Sequence, residues 1–176
     1  MNGFDVHQVI SAVRYGKIIT EHPLACNELE YWVYFSNSMQ IIINADIDLM
    51  TFSEFDKKEI GDFREYVLTL QKMARIGNWL TTWEREVEEG DLTSILIPRA
   101  LHEGVISKEN ILSNSLEVIK KSIKQKSTKE KVLKEWKHLY EFAANKGENI
   151  SSVNNATILC MFEYLLTMHL ISENFK

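Results

Sequence analysis

Proline and glycine are scarce in this chain of 176 residues. Proline occurs only at Pro23 and Pro98 and glycine seven times, while leucine, isoleucine, glutamate and lysine are abundant. Because proline and glycine interrupt helices, this composition predicts long helices and no flexible linker. We expect one all-α domain over residues 1–176, which is long enough to bury a hydrophobic core.

Cysteine and long apolar runs are also scarce. The two cysteines, Cys26 and Cys160, are far apart, and no CxxC or Cys/His cluster indicates a zinc site. Both lie beside apolar residues, which predicts buried free thiols in a reducing compartment. The first residues, MNGFDVHQVI, lack the features of a signal peptide, and no run approaches the ~20 apolar residues of a membrane span. We therefore expect a cytoplasmic protein without a membrane span.

Basic side chains are not in excess. The formal net charge is −5, which argues against nucleic acid as the main partner, because a phosphate backbone attracts a basic surface. His102, His138 and His169 are isolated and show no metal-ligand spacing. The sequence also has no Ser/His or Cys/His arrangement of the kind that activates a protein nucleophile.

What the sequence does contain is strong helical periodicity. Thr51 with Glu54, together with Ser53, predicts the start of a long helix by capping-box chemistry, and Gly90 predicts its end. Ser127 with Glu130, and Ser151 or its neighbour, predict two later helix starts. Apolar residues of the long helix recur every three or four positions and form one stripe: Phe63, Val67, Leu70, Met73, Ile76, Leu80, Trp83 and Val87. We expect six or seven helices in an antiparallel bundle.

The segment ARIGNWLTTWEREVEEGD carries the candidate chemistry. Asn78, Thr82 and Glu86 are four residues apart, so on a helix their side chains stack on one face within about 12 Å along the axis. An amide oxygen, a hydroxyl and a carboxylate are hard ligands that suit Mg²⁺. Arg85 and Arg75 lie close by, and a guanidinium binds diphosphate oxygens bidentately.

The same residues are compatible with an ordinary solvated helix face, in which Thr82 bonds back to the carbonyl of Asn78. Trp79 and Trp83 flank the polar residues and favour burial instead. Tyr31, Tyr34, Trp79 and Trp83 would then line a pocket whose π faces stabilise a cation, although plain core packing is the commoner role of aromatic residues at helical spacing.

Asn78-x-x-x-Thr82-x-x-Arg85-Glu86 resembles the second metal-binding motif of class I terpene synthases. Leu80 and the following Glu-Gly-Asp sequence also match, while Trp79 replaces an aspartate at a position that is not one of the family's three ligands. The resemblance implies a fold like part of the class I terpenoid synthase fold. It further implies Mg²⁺ on Asn78, Thr82 and Glu86, with diphosphate on Arg85 and Arg75.

Two features of that family are missing. Its aspartate-rich metal motif lies far upstream of the motif seen here, and this sequence has no DDxxD-like run; the nearest acidic pair is Asp46 and Asp48. For these two, helix capping and solvation are favoured over a replacement metal site. The family's Arg-Tyr pair near the C-terminus is also absent. By resemblance, the chain corresponds to the C-terminal half of a class I enzyme.

Two hypotheses about function follow. In the first, the chain is a Mg²⁺-dependent terpene-synthase-like protein that binds and ionises an isoprenyl diphosphate. In the second, it is a non-catalytic helical module or partner subunit that keeps a remnant of the motif. The segment Tyr31–Phe35 and the stretch Ile158–Ile171 offer apolar surface, which predicts association with a second copy or another chain.

Overall fold

The computed structural model describes residues 2–172, and these residues form helices without any strand. The nine α-helices are α1 Asn2–Glu21, α2 Glu28–Tyr34, α3 Ile41–Thr51, α4 Ile60–Glu88, α5 Leu96–His102, α6 Lys108–Leu112, α7 Leu116–Gln125, α8 Thr128–Gly147 and α9 Asn155–Ser172. Short 3-10 helices occupy Pro23–Ala25, Phe35–Met39 and Lys57–Glu59. The all-α prediction is confirmed for the described part of the chain. None of its helices has both the length and the apolar character needed to cross a membrane.

Helix α4 is the central element of the fold. It has 29 residues, which corresponds to a length of about 43 Å. Helices α8 and α9 pack against it, as do α3 and the 3-10 helix Phe35–Met39. All eight residues of the predicted apolar stripe, from Phe63 to Val87, are buried. The stripe supplies the middle of a cluster of buried apolar side chains to which every helix from α1 to α9 contributes.

The start of α4 differs from the sequence-based expectation. The helix begins at Ile60, not near Ser53, and Glu59 before it makes no side-chain capping hydrogen bond. Asp56 caps the preceding 3-10 helix Lys57–Glu59, by accepting a hydrogen bond at Oδ1 from the N–H of Lys58 (2.9 Å). Residues 52–56 form an irregular turn that connects α3 to this point. The end of α4 follows the expectation, because Gly90 adopts a left-handed φ of 79° that an L-residue with a side chain disfavours.

Two later helix starts were predicted from capping residues, with different outcomes. Ser127 does precede the first residue of α8, as predicted, but its side chain makes no capping hydrogen bond. Ser151 precedes α9 but does not begin it; its N–H and hydroxyl both donate to Oε1 of Glu59, at 2.9 and 2.7 Å. These bonds are tertiary and fasten the loop before α9 to the start of α4. Asn154 caps α9 instead, by accepting from the N–H of Thr157 (3.0 Å).

The two cysteines lie in different environments. Cys26 is buried, as expected, and burial raises the pKa of its thiol to about 11. Cys160 is exposed on α9, contrary to the expectation of a buried thiol. The sequence of α9 does not predict that Cys160 is exposed, because apolar residues occur on all sides of this helix. The rest of the protein covers only part of them.

Candidate functional site

Four polar side chains lie along one face of α4, and we call them the polar row: Arg75, Asn78, Thr82 and Glu86. They are three or four residues apart, so an uninterrupted helix places them one above the other. Thr82 is buried, and the other three are partly buried. The row is therefore not a solvated helix face, and the tryptophan-based expectation of burial agrees with this placement.

Hydrogen bonds connect the members of the polar row in sequence. Nη1 of Arg75 donates to Oδ1 of Asn78 at 2.7 Å. The hydroxyl of Thr82 lies 2.9 Å from the carbonyl oxygen of Asn78 and 2.7 Å from Oε1 of Glu86, so its single hydrogen serves two acceptors. Thr82 thus makes the back-bond to Asn78 that an ordinary helix predicts, and in addition contacts the carboxylate.

The polar row carries one positive and one negative charge. Burial lowers the pKa of Arg75, an effect that the negative charges of Glu86 and Asp91 oppose. Burial raises the pKa of Glu86, and the Thr82 hydrogen bond and the charge of Arg75 oppose that shift. Within the described part of the chain, two buried atoms of the row have no hydrogen-bond partner, namely Nε of Arg75 and Oε2 of Glu86. One donor and one acceptor of the row are therefore unsatisfied by these residues.

Aromatic rings hold the guanidinium of Arg75 in place. Its Cζ lies 4.9 Å from the centre of the Trp79 ring and 5.7 Å from that of Phe35, distances typical of cation–π contacts. Such stacking fixes the plane of the guanidinium. A fixed, planar guanidinium binds an oxyanion with less loss of conformational freedom than a mobile one.

The four aromatic residues predicted to line a pocket pack mainly against protein. Tyr31 donates to the carbonyl of Leu92 (2.6 Å), and Nε1 of Trp79 donates to the carbonyl of Thr93 (3.0 Å). These two rings and that of Trp83 are fully buried. Tyr34 is partly buried, with its ring 4.8 Å from that of Tyr15. These contacts favour the core-packing alternative for Tyr31 and Trp79. That the aromatic rings line a pocket for a cation stays a prediction.

Arg75 and Arg85 lie in different environments, one partly buried and the other at the surface. The side chain of Arg85 is half exposed, and its Nη1 lies 3.3 Å from Oε1 of Glu89, a surface ion pair on the next turn. Arg75 belongs to the polar row. Of the two arginines assigned to diphosphate, Arg75 is the one that the fold holds beside Asn78.

Asp91 belongs near the site but was not selected from the sequence. Its charge acts on Arg75, Glu86 and Tyr31, and its Oδ1 accepts a hydrogen bond from the N–H of Thr93 (2.9 Å). The left-handed turn at Gly90 brings the chain back so that Asp91 approaches the end of α4. The Glu-Gly-Asp sequence that follows the motif was the feature from which Asp91 could have been selected.

The acidic pair on α3 does not face the polar row. Asp46 is buried and pairs with Arg64, near the other end of α4, and Asp48 is exposed. From Arg64 to Glu86 the axis of α4 advances by roughly 33 Å. The favoured role of Asp46 in capping or solvation is wrong, because its carboxylate forms a buried ion pair that links α3 to α4.

The oxygen donors of the polar row suit Mg²⁺ in kind. Neighbouring oxygen ligands of an octahedral Mg²⁺ at about 2.1 Å lie roughly 3 Å apart, which is close to the 2.7 Å that separates Oγ1 of Thr82 from Oε1 of Glu86. However, the described residues contain no cluster of three or more His, Cys, Asp or Glu side chains that is arranged to hold a metal. Arg75 also cancels the charge of Glu86. The row therefore fits Mg²⁺ only together with an anionic ligand.

Comparisons with known proteins add no relative: no family model matches the chain, and no curated protein and no solved structure is significantly similar to it. The likeness to class I terpene synthases therefore depends on the motif in α4 and on the all-helical fold.

Proposed function

We propose that this chain binds a diphosphate group together with Mg²⁺ at the polar row, as a terpene-synthase-like protein that ionises an isoprenyl diphosphate. The observation that supports the proposal most directly is the buried Oε2 of Glu86, which has no partner among the residues that the structure describes and lies on one helix face with Thr82 and Asn78. An unpaired buried carboxylate oxygen costs stability, and a bound cation removes that cost.

In the proposed site, the residues of the polar row would have separate roles. Glu86, Thr82 and Asn78 would hold the metal, which when bound supplies Lewis-acid pull on the oxygens of the leaving diphosphate. Arg75 would donate to the diphosphate from its stacked guanidinium, in which Nε has no partner among the described residues. The surrounding aromatic rings would exclude water from the allylic cation. The remaining acidic ligands of a class I site would come from outside the polar row, from another chain or segment.

The motif resemblance extends the proposal to a fold like part of the class I terpenoid synthase fold. The central position of α4 supports this, because the motif-bearing helix is the one against which the other main helices pack. Asp91 supports it too, since it returns a carboxylate to the vicinity of the row.

Isothermal calorimetry of the chain with inorganic diphosphate and Mg²⁺ tests the proposal. We expect binding that requires both components and that weakens by at least about tenfold in Glu86→Gln, because the amide keeps the shape and loses the charge. Glu88→Gln is the matched control: Glu88 is exposed and pairs with Lys120 (2.6 Å), outside the row. The proposal is wrong if the wild-type chain does not bind, or if the two variants behave alike.

A second function, that of a non-catalytic partner subunit, is supported by a different observation. Helix α9 exposes a series of large apolar side chains: Met161, Tyr164, Leu165, Met168 and Ile171. If calorimetry finds no Mg²⁺-dependent diphosphate binding, this surface is the better guide to what the chain does.

A further inference from the structure

Helix α9 is apolar on two opposite sides. One side, which includes Leu159, Phe162 and Leu166, packs against α4, α8 and the hydrophobic core. The residue two positions after each of these is exposed: Met161, Tyr164 and Met168. Because two residues turn a helix by about 200°, these exposed side chains lie on the side of α9 that faces away from the core.

The exposed apolar residues form a continuous row along α9. Ile171 extends the row by one turn, and we call the four residues the outer stripe: Met161, Tyr164, Met168 and Ile171. Each of them is between 46% and 66% exposed. A helix at a protein surface usually turns polar residues outward, and a helix that is apolar all round is usually covered on all sides. The outer stripe is therefore a surface that a partner should cover.

The outer stripe is free of charge. Glu163 is the only Asp, Glu, Lys or Arg in α9, and it lies about 100° around the helix from Tyr164. A hydrogen bond to Glu163 raises the pKa of the Tyr140 phenol, so this carboxylate is engaged with α8. The chain has a formal net charge of −5, so two copies repel each other least where neither presents a charge.

The spacing of the outer stripe makes it complementary to itself. Its residues are separated by three, four and three positions, the spacing of residues along the seam between two packed helices. This order of spacings is the same in both chain directions. A twofold axis near Leu166 therefore places Met161 of one copy opposite Ile171 of the other, and Tyr164 opposite Met168. A symmetric dimer requires such a self-complementary surface, whereas a complex with a different protein does not.

An antiparallel arrangement suits the side chains better than a parallel one. It puts the thioether of Met168 against the ring of Tyr164, a favourable contact between sulfur and an aromatic ring. A parallel arrangement would place the two Tyr164 rings at the same level of the seam. It would also align the two helix dipoles in the same direction, which is the less favourable orientation.

We propose that two copies of this chain associate through α9, with their outer stripes packed antiparallel about a twofold axis near Leu166. The inference is independent of the one for the polar row, because the two surfaces share no residue. Either can fail without affecting the other.

Sedimentation velocity of the whole chain at micromolar concentration tests the surface. We expect a dimer that Tyr164→Glu weakens by at least about tenfold, because it buries a charge in the seam. Ala156→Glu is the matched control: Ala156 is exposed on the same helix, outside the outer stripe, and should leave the dimer unchanged. Circular dichroism checks that both variants keep the helical fold. A wild-type monomer, or equal weakening by the two variants, would overturn the proposal.

Cross-linking with bismaleimidoethane tests the orientation without a change in the stripe. The exposed Cys160 residues of an antiparallel pair are separated by about 18 Å along the helix axis, so we expect no cross-linked dimer of the wild type. In the Cys160→Ser, Thr167→Cys variant the two thiols are offset by only about 3 Å along the axis, and we expect a cross-linked dimer. The reverse result, with the dimer linked through Cys160 and not through residue 167, would overturn the antiparallel arrangement.

Discussion

Oγ1 of Thr82 lies 2.7 Å from Oε1 of Glu86, while Oε2 of the same carboxylate is buried without a partner in the described part of the chain. One oxygen of Glu86 is thus satisfied by the helix that carries it, and the other has no partner among residues 2–172. This arrangement costs stability in the free protein, and the cost depends on pH.

Glu86→Gln should stabilise the free protein at neutral pH. Burial raises the pKa of Glu86 above its ordinary value of 4.5, so the folded state binds the proton more tightly than the unfolded chain. The free energy of unfolding therefore falls as pH rises from 4.5 through the folded-state pKa. We expect Glu86→Gln to raise Tm at pH 7 and to have little effect at pH 4, in thermal unfolding followed by circular dichroism. An equal loss of Tm at both pH values would show that Glu86 is a structural residue.

Arg75 should matter more than Arg85 for diphosphate binding. Arg75 is stacked on Trp79 and belongs to the polar row, whereas Arg85 forms a surface pair with Glu89. We expect Arg75→Lys, which keeps the charge and loses the planar fork, to weaken Mg²⁺–diphosphate binding by about tenfold, and Arg85→Lys to change it by less than about threefold. Calorimetry measures both. If Arg85→Lys weakened binding more than Arg75→Lys, the anion would bind on the exposed side of α4, beside Arg85.

Arg64 should be a major contributor to stability. It is the guanidinium that two buried carboxylates share, so Arg64→Met removes the group that pairs with both of them. Removing one partner of a buried ion pair costs about 3–5 kcal/mol of unfolding free energy. Arg85→Met, which removes an exposed pair, should cost less than about 1 kcal/mol. Urea unfolding of the two variants compares them, and similar losses would mean that the cluster is effectively solvated.

Two glycine substitutions should have opposite effects. A Cβ at Gly147, the last residue of α8, would overlap the side chain of Asn155 at the start of α9. A Cβ at Gly61, in the first turn of α4, meets nothing within 4 Å. We expect Gly147→Ala to cost about 1–3 kcal/mol through overpacking, and Gly61→Ala to gain up to about 1 kcal/mol by reducing the freedom of the unfolded chain. Chemical denaturation distinguishes the two, and a neutral Gly147→Ala would mean that Asn155 moves aside at no cost.

The exposed face of α9 should mediate association. Glu163 is the only Asp, Glu, Lys or Arg in Asn155–Ser172, whereas α1, which also exposes apolar residues, carries several charges. Sedimentation velocity at micromolar concentration should therefore show self-association that Met168→Glu weakens by about tenfold or more and Val13→Glu does not. A wild-type chain that sediments as a monomer would contradict this prediction. In the predicted association segment Tyr31–Phe35, Tyr31 and Phe35 are buried and offer no surface, whereas Val33 is exposed.

Local periodicity accounts for the parts of the fold that were predicted correctly. The stripe from Phe63 to Val87 repeats every three or four residues, and only one side of a helix can carry it, so its burial follows once a helix forms. The same argument places Asn78, Thr82 and Glu86 on one face. Gly90 ends α4 for an equally local reason, since its left-handed φ disfavours other residues.

The caps show where local reasoning fails. Ser151 has the chemistry of a helix cap, but Glu59, 92 residues earlier in the chain, uses its hydroxyl and N–H. A serine hydroxyl bonds to whichever partner the fold brings near, and a distant carboxylate competes with the next backbone amide. Asp46 is a second example, because only the packing of α3 against α4 brings its carboxylate to Arg64.

The sequence by itself determined that this chain is helical, which residues form the core stripe, and that Asn78, Thr82 and Glu86 share a face, because these are consequences of a repeat of 3.6 residues. The tertiary structure decided that Arg75 and not Arg85 joins them, that Oε2 of Glu86 is buried without a partner among the described residues, and that Asp46 pairs with Arg64. Those outcomes depend on which surfaces other helices cover. Burial and charge pairing between distant residues are properties of the packed chain, and no local pattern encodes them.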